Sequence, residues 1–427
     1  MSKSLNDLAW EKLFDKYNIL QKIENDRVFN ISAEQIKEFR EPRLMAKFDH
    51  NIDLPEIFLK NKLAILPTTR GEYIISHFDA YHKFEDDSSP IIRVPLPSYI
   101  QSLDSNNITS EAIALHCAVA SGIIADFTED SDIFATVSGR MGSGIFSFNI
   151  NDVKLQSYHQ VNVANSQIEI DAGYEGVSCL ALFEAKLNIS DDFLIRQLYY
   201  PFRTWLKRVT KPIKTIFFIY SNGIFRLFEY AFSNVNNYNS LQLVKQKNYS
   251  VEDTAISLNE IQAVLEHIII ADEPQLPFPQ ADKFERVINI CELLSSQELN
   301  RADVTENYDF VSRQANYYTD AARYLGLLEK KNEDGKTVYS LTEKGRSILK
   351  LNYKQRQLAY CKSILSHKSF NTSLRLYFQK ACMPSISEIA HIMRQSEIYK
   401  VKSEETYKRR AGTIKGWLNW IISLINE

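Results

Sequence analysis

The sequence predicts an α/β protein: a mixed β-sheet core flanked by helices, followed by an α-rich C-terminal domain. Three observations lead there. Between residues 131 and about 250, runs rich in aromatic and β-branched residues (133–138, 144–150, 161–171, 178–186, 214–220 and 224–232) are separated by Gly or Asn-Gly breaks. One long stretch, Asp191 to Arg208, interrupts them with Phe193, Leu194, Leu198, Phe202 and Trp205 at helical spacing. Ala271–Gln280 then carries three prolines and no periodicity, and helical patterns dominate after it.

Taken in order, residues 1–100 read as a mixed α/β region and a candidate for DNA recognition. A helix is expected at Leu5–Tyr17 and a short one at Ser32–Phe39, where Ser32 and Gln35 have capping-box spacing. Strand-like Leu63–Leu66 and Glu72–Ile75 follow, prolines 90, 95 and 97 break the pattern, and a helix runs from Ser110 to about Ile124. Residues 101–270 form the core, with Ser221-Asn222-Gly223 as a hairpin turn. Residues 271–282 are a linker.

Residues 283–350 contain helices at Lys283–Leu294 and Asp309–Leu325, then a Gly335-tipped hairpin, the layout of a winged helix. Residues 351–427 add short helices, Ile386–Met393 and Ser403–Leu424, and a second helix-turn-helix-like unit. This tail has thirteen Lys/Arg against five Asp/Glu, so it is +8 in a chain whose net charge is −3. A basic module on an acidic body suits a DNA-contacting tail better than a uniformly basic coat. Five scattered cysteines with no CxxC pair read as reduced core residues, and the absence of a long apolar run or leader points to the cytoplasm.

The chemistry concentrates in Ile170-Asp171-Ala172-Gly173 and Leu182-Phe183-Glu184-Ala185-Lys186. Glu184 and Lys186 share a strand face, and Glu184 leaves an otherwise hydrophobic run. A carboxylate and an ammonium emerging together need partners, and a divalent cation plus a phosphate would serve. Asp171 and Glu184 are candidate Mg²⁺ ligands with the Ala185 carbonyl, and Lys186 orients water or steadies developing charge. Glu169 and Glu111 are reserve carboxylates. Arg196, Gln197, Tyr200 and Arg203 fall three or four apart on the following helix, where a glutamine and two arginines would donate to a phosphate. The glycine-rich Ser138–Gly144 reads as a hairpin tip that brings Arg140 near a backbone phosphate, and no Gly-Lys-Ser/Thr makes it a P-loop.

The segment from Gln167 to Tyr230 resembles the PD-(D/E)XK nuclease superfamily, and specifically type II restriction endonucleases. Glu-Ile-Asp-Ala-Gly-Tyr-Glu, Glu-Ala-Lys and Arg-Gln-Leu-Tyr-Tyr-Pro-Phe-Arg carry the likeness, the last being similar to the Gln-x-x-x-Tyr helix of some nucleases. Ile170 stands where that pattern has proline, and the tyrosines fall two and three after Gln197. The resemblance implies Mg²⁺-dependent cleavage of double-stranded DNA, with Asp171 and Glu184 as ligands, Lys186 and Gln197 catalytic, a cognate DNA methyltransferase in the same system, and a homodimer. Further DNA contacts are expected from Arg313, Gln314 and Asn316 in the winged-helix unit and from Lys408, Arg409 and Arg410 in the tail. A non-catalytic winged-helix DNA-binding regulator and a non-specific repair nuclease are the competing readings.

Overall fold

The computed structural model describes residues 3–85, 89–298, 317–333 and 336–426. It is a mixed α/β protein whose described residues pack as an N-terminal core, a central one layered on both faces of a sheet, and a third, C-terminal core. The N-terminal one lies within residues 9–75, where the helix Leu5–Tyr17 packs Trp10 and Phe14 edge-on against Phe58 (ring centroids 4.8 and 5.3 Å) beside a three-stranded sheet. The Ser32–Gln35 capping box forms as expected, with each residue's side chain accepting from the other's backbone N–H.

The central core is a seven-stranded sheet, in the order Ile91–Arg93, Leu241–Ser250, Ile224–Phe232, Ile213–Ser221, Leu180–Lys186, Gln167–Glu175, Phe134–Gly142. Leu180–Lys186 runs parallel to Ile213–Ser221 and antiparallel to Gln167–Glu175. Its alternation serves two layers. Ala181, Phe183 and Ala185 pack in a core with residues of the helix Glu111–Ala120, whereas Leu180 and Leu182 face one built on the helix Arg196–Trp205 and the ribbon Ile145–Asn151/Tyr158–Ala164. A strand apolar on both faces belongs at the centre of a covered sheet.

Several boundaries differ from the sequence expectation, each for a visible reason. Ile91–Arg93 is an edge strand of the central sheet and Tyr81–Lys83 pairs with Asp192–Leu194, so the N-terminal unit ends near residue 75 instead of 100. That pairing makes Asp192–Leu194 a strand, and the helix begins only at Arg196. The run 161–171 breaks at Asn165, which has φ +56°, and 110–124 breaks at Gly122, φ +85°.

The third core joins the helix Leu258–His267 to everything after it, so residues 283–350 and 351–427 share one interior. The expected linker is part of it. Phe278 stacks on Phe370, the Trp417 indole N–H donates to the Ala281 carbonyl at 2.6 Å, and Gly416 lies where a Cβ would strike the Asp282 carbonyl. The hairpin Leu328–Glu333/Lys336–Leu341 is present. Arg313, Gln314 and Asn316 lie outside the described residues, while residues 317–324 of the helix expected around them are helical.

This third core grips the central sheet at the Ser221-Asn222-Gly223 turn. Asn222 (φ +54°) and Gln357 exchange side-chain hydrogen bonds at 2.8 and 3.1 Å while Glu292 accepts from the Asn222 backbone N–H and the Ser221 hydroxyl. Replacing Asn222 with Ala strands both the N–H and the oxygen of the buried Gln357 amide and puts a Cβ residue without a polar side chain in a left-handed turn. Asn222→Ala is expected to cost about 2–4 kcal/mol in urea unfolding, and Asn222→Gly somewhat less because the turn is retained. A loss below about 0.5 kcal/mol for Asn222→Ala would show that the amide exchange contributes little.

Candidate active site

Strand pairing brings the acids together. Ala172 pairs with Phe183, so the next positions outward are Asp171 and Glu184, where the two strands begin to part. The Asp171 Oδ2 accepts the Ala185 backbone N–H at 2.7 Å, replacing a ladder bond by a side-chain one. Glu184 is buried. Its Oε1 accepts from the Lys186 ammonium at 2.5 Å and from the Gln197 amide at 2.6 Å. Gln197 reaches it because the helix Arg196–Trp205 crosses the Leu180/Leu182 face, the face that Glu184 and Lys186 continue.

These groups floor a cleft of about 690 Å³ whose walls come from two units. The central sheet supplies Asp171, Glu184, Lys186, Arg196 and Gln197, with Glu111 and Arg140 at the margin; the N-terminal unit supplies Arg43, Lys47, Asp49 and Arg70. Burial drives Glu184 up to about 7, only partly offset by Lys186, and it raises Asp171 and Glu111 as well. Burial alone would also lower Lys186, but Glu184, Asp49 and Glu111 outweigh it and raise this ammonium, so it is held as a cation. Lys186 thus stands among these carboxylates as a hydrogen-bond donor and a counter-charge.

The chemistry of the donor set suits a hard cation. Asp171 and Glu184 offer oxygen ligands, and Gln197 Oε1 is buried, borders the cleft and has no hydrogen-bond partner among the described residues. Among the described residues no three His, Cys, Asp or Glu side chains form a ready-made chelate. Two carboxylates completed by water and substrate phosphate are a usual protein share of a Mg²⁺ site. Ala185 is fully buried, and its N–H is engaged by Asp171.

The remaining sequence candidates separate. Glu169 pairs with Arg140 at 3.2 Å on the cleft margin. Arg140 sits within the strand Phe134–Gly142, not at a hairpin tip, and the turn falls beyond it at Ser143-Gly144. Arg196 borders the cleft, its guanidinium over the Tyr200 ring at 5.6 Å. Arg203, expected to reach DNA, is turned inward. It is one turn beyond Tyr199 on the inward face, buried, and donates to the Tyr199 hydroxyl, the Val235 carbonyl and the Ser147 carbonyl. Tyr199 and Tyr200 are likewise buried, with hydroxyls donating to the Val235 and Pro67 carbonyls. In the tail, Lys408 and Arg409 are exposed. Arg410 is half-buried, its Nε without a hydrogen-bond partner among the described residues, because the helix turns it toward Asp320 and Tyr317.

Asp49 was not foreseen, nor were Lys47 and Arg70. Beside Asp49, Asp53 is raised from 3.8 to about 8 by burial and by the charges of Asp49 and Asp192. A raised folded-state value means that the folded chain holds this proton more tightly. Its stabilising contribution is therefore complete below the ordinary carboxylate range and is lost as pH rises through about 8. Asp53→Asn, permanently neutral, should leave the melting temperature little changed near about pH 4 and raise it by roughly 2–4 °C near about pH 9. An equal or lower midpoint at the alkaline end would contradict the raised value.

Three domain families match the chain, each described only as a domain of unknown function: DUF6996 over residues 7–75, DUF6997 over 76–250 and DUF7226 over 286–426. The first range ends where the N-terminal unit does, the second spans the strands of the central sheet, and the third lies within the third core, which also takes in residues 256–284 before it. No curated protein and no solved structure matches the chain.

Proposed function

We propose that this chain is a Mg²⁺-dependent endonuclease of the PD-(D/E)XK type, acting on double-stranded DNA as a site-specific restriction enzyme. The observation that carries the reading is Glu184, a carboxylate buried at the end of a central strand and held by Lys186 and Gln197 opposite Asp171. The basic margin of the cleft supports it. Lys47 and Arg70 are exposed beside the acidic floor, an arrangement that suits a polyanion whose reacting phosphate meets the carboxylates while its neighbours meet cations.

A bound Mg²⁺ would supply charge neutralisation at the scissile phosphate and a more acidic water. The protein's own part is positional. Asp171 and Glu184 would hold the cation, with Asp171 fixed by the Ala185 N–H and Glu184 by the Gln197 amide. Lys186, kept protonated, donates toward the charge that develops on the phosphoryl oxygens as water attacks phosphorus and the P–O bond to the leaving sugar breaks. The site-specific form rests on the sequence resemblance, as do the methyltransferase of the same system and a homodimer that would cut both strands. The helices and hairpin of the third core, read as a winged-helix region, would locate the site.

Incubating the full chain with phage DNA and Mg²⁺ should give discrete fragments. Glu184→Gln and Lys186→Ala should each lower the rate by more than about 100-fold with DNA affinity retained. Retained affinity with no cleavage by the unaltered chain would favour a DNA-binding regulator, and a smear instead of bands would favour a non-specific nuclease. For binding, Lys47→Ala with Arg70→Ala, or Lys408→Glu with Arg409→Glu, should weaken affinity for any DNA sequence. Each phosphate no longer neutralised should reduce the log K against log [salt] slope by about 1, so an unchanged slope would remove that pair from the interface.

A further inference from the structure

The Lys186 ammonium touches two carboxylates that come from different parts of the chain. Glu184 is its strand neighbour at 2.5 Å, and Asp49 approaches from the N-terminal unit with Oδ2 at 3.5 Å. All three side chains are largely withdrawn from solvent, at 13, 10 and 18% exposure for Lys186, Glu184 and Asp49. At that depth a second carboxylate is costly unless it meets a charge, and Lys186 is the cation that it meets. No side chain of the N-terminal unit donates a hydrogen bond to Asp49 among the described residues, and its Oδ1 is buried without a partner.

The segment that carries Asp49 is fastened to the site's own scaffold. The Asp49 carbonyl accepts from the Leu194 N–H at 2.9 Å, and Asp192 Oδ1 accepts from the Asn51 N–H at 3.0 Å. His50, held neutral by burial, donates from Nδ1 to the Asp192 carbonyl and accepts at Nε2 from the Asn188 amide. Residues 49–51 are thus stitched onto 188–194, the stretch that leads from Lys186 to the helix carrying Arg196 and Gln197.

We propose that Asp49 is a positioning residue for Lys186, so that the N-terminal unit completes the catalytic cleft. With Asp49 present, the ammonium is shared between two carboxylates, and Glu184 is not required to neutralise it alone. Without that charge, Glu184 alone would hold the ammonium, and a cation seeking its Oε1 would have to displace Lys186 with no second carboxylate to receive it. The consequence for catalysis rests on the nuclease reading, whereas the placement of the ammonium does not.

The test uses the full chain carrying Asp49→Asn or Asp49→Glu, each first checked for an unchanged thermal midpoint. Competitive acetylation with acetic anhydride between about pH 8 and pH 11, read by mass spectrometry, reports how readily Lys186 loses its proton relative to distant Lys368. Asp49→Asn should raise Lys186 labelling by about three- to ten-fold at fixed pH, and Asp49→Glu should return it to within about twofold. In cleavage of phage DNA, Asp49→Asn should lower kcat by about tenfold or more with KM within about twofold, and Asp49→Glu should recover much of it. Should Asp49→Asn melt early, the reading passes to Asp49→Ser, with Asp49→Glu as its charged control. Unchanged labelling overturns the positioning role, and raised labelling with unaltered kcat overturns its catalytic consequence. If the unaltered chain cuts nothing, the nuclease reading falls while the labelling still decides for or against Asp49.

Discussion

A single buried carboxylate sets the terms for the centre of this molecule. Glu184 continues a strand whose preceding residues, Leu180 to Phe183, are apolar on both faces, and burial withdraws it from water. Its neighbours supply what water would: the Lys186 ammonium, the Gln197 amide, and the pairing of Asp171 with the Ala185 N–H that keeps the strands together as they part. Each is delivered by a different element. The fold therefore has to bring a strand end, a helix and an edge-ward neighbour to one place, and the layered packing around Leu180–Lys186 does so.

Burial and charge compete at every group in the cleft, and the balance differs from one to the next. For Glu184, Asp171 and Glu111 burial wins and favours the neutral form. For Asp49 and Lys186 the neighbouring opposite charges win and favour the ionised form. The result is an acidic floor with one fixed cation and carboxyls that hold their protons more tightly than free ones, so a divalent ion entering there would have to displace protons. The exposed lysine and arginine at the margin act over longer range and respond to salt, whereas the floor does not.

How far the sequence anticipated this depends on the kind of signal. Glu184 and Lys186 stand out because they interrupt an apolar run with period-two spacing, and Asp171 follows from the hairpin. Gln197 was legible because helical spacing put it on a known face, yet the same reasoning grouped it with Arg203, which the helix turns into the core. Charge alone does not reveal which arginine meets a carbonyl and which meets solvent. Asp49 had no local signature, since Phe48 and His50 are ordinary neighbours, and its role depends on how two separate cores dock. The proline-rich 271–282 segment shows the converse: composition suggested a free connection, but Phe278 and Ala281 are buried because aromatic packing against Phe370 and Trp417 outweighs the lack of regular structure.

Asn289, on the helix Phe284–Glu298, donates to the Leu187 carbonyl and accepts from the Ile189 N–H, so the third core holds the chain immediately after Lys186. This gives the order of synthesis a meaning. A nascent chain exposes Asp49, Asp171, Glu184 and Lys186 well before Asn289 leaves the ribosome, and until then the stretch from Lys186 to the Gln197 helix lacks its last tether. A product truncated before Asn289 would therefore carry every residue of the acidic floor without the side chain that holds the Leu187 carbonyl and the Ile189 N–H.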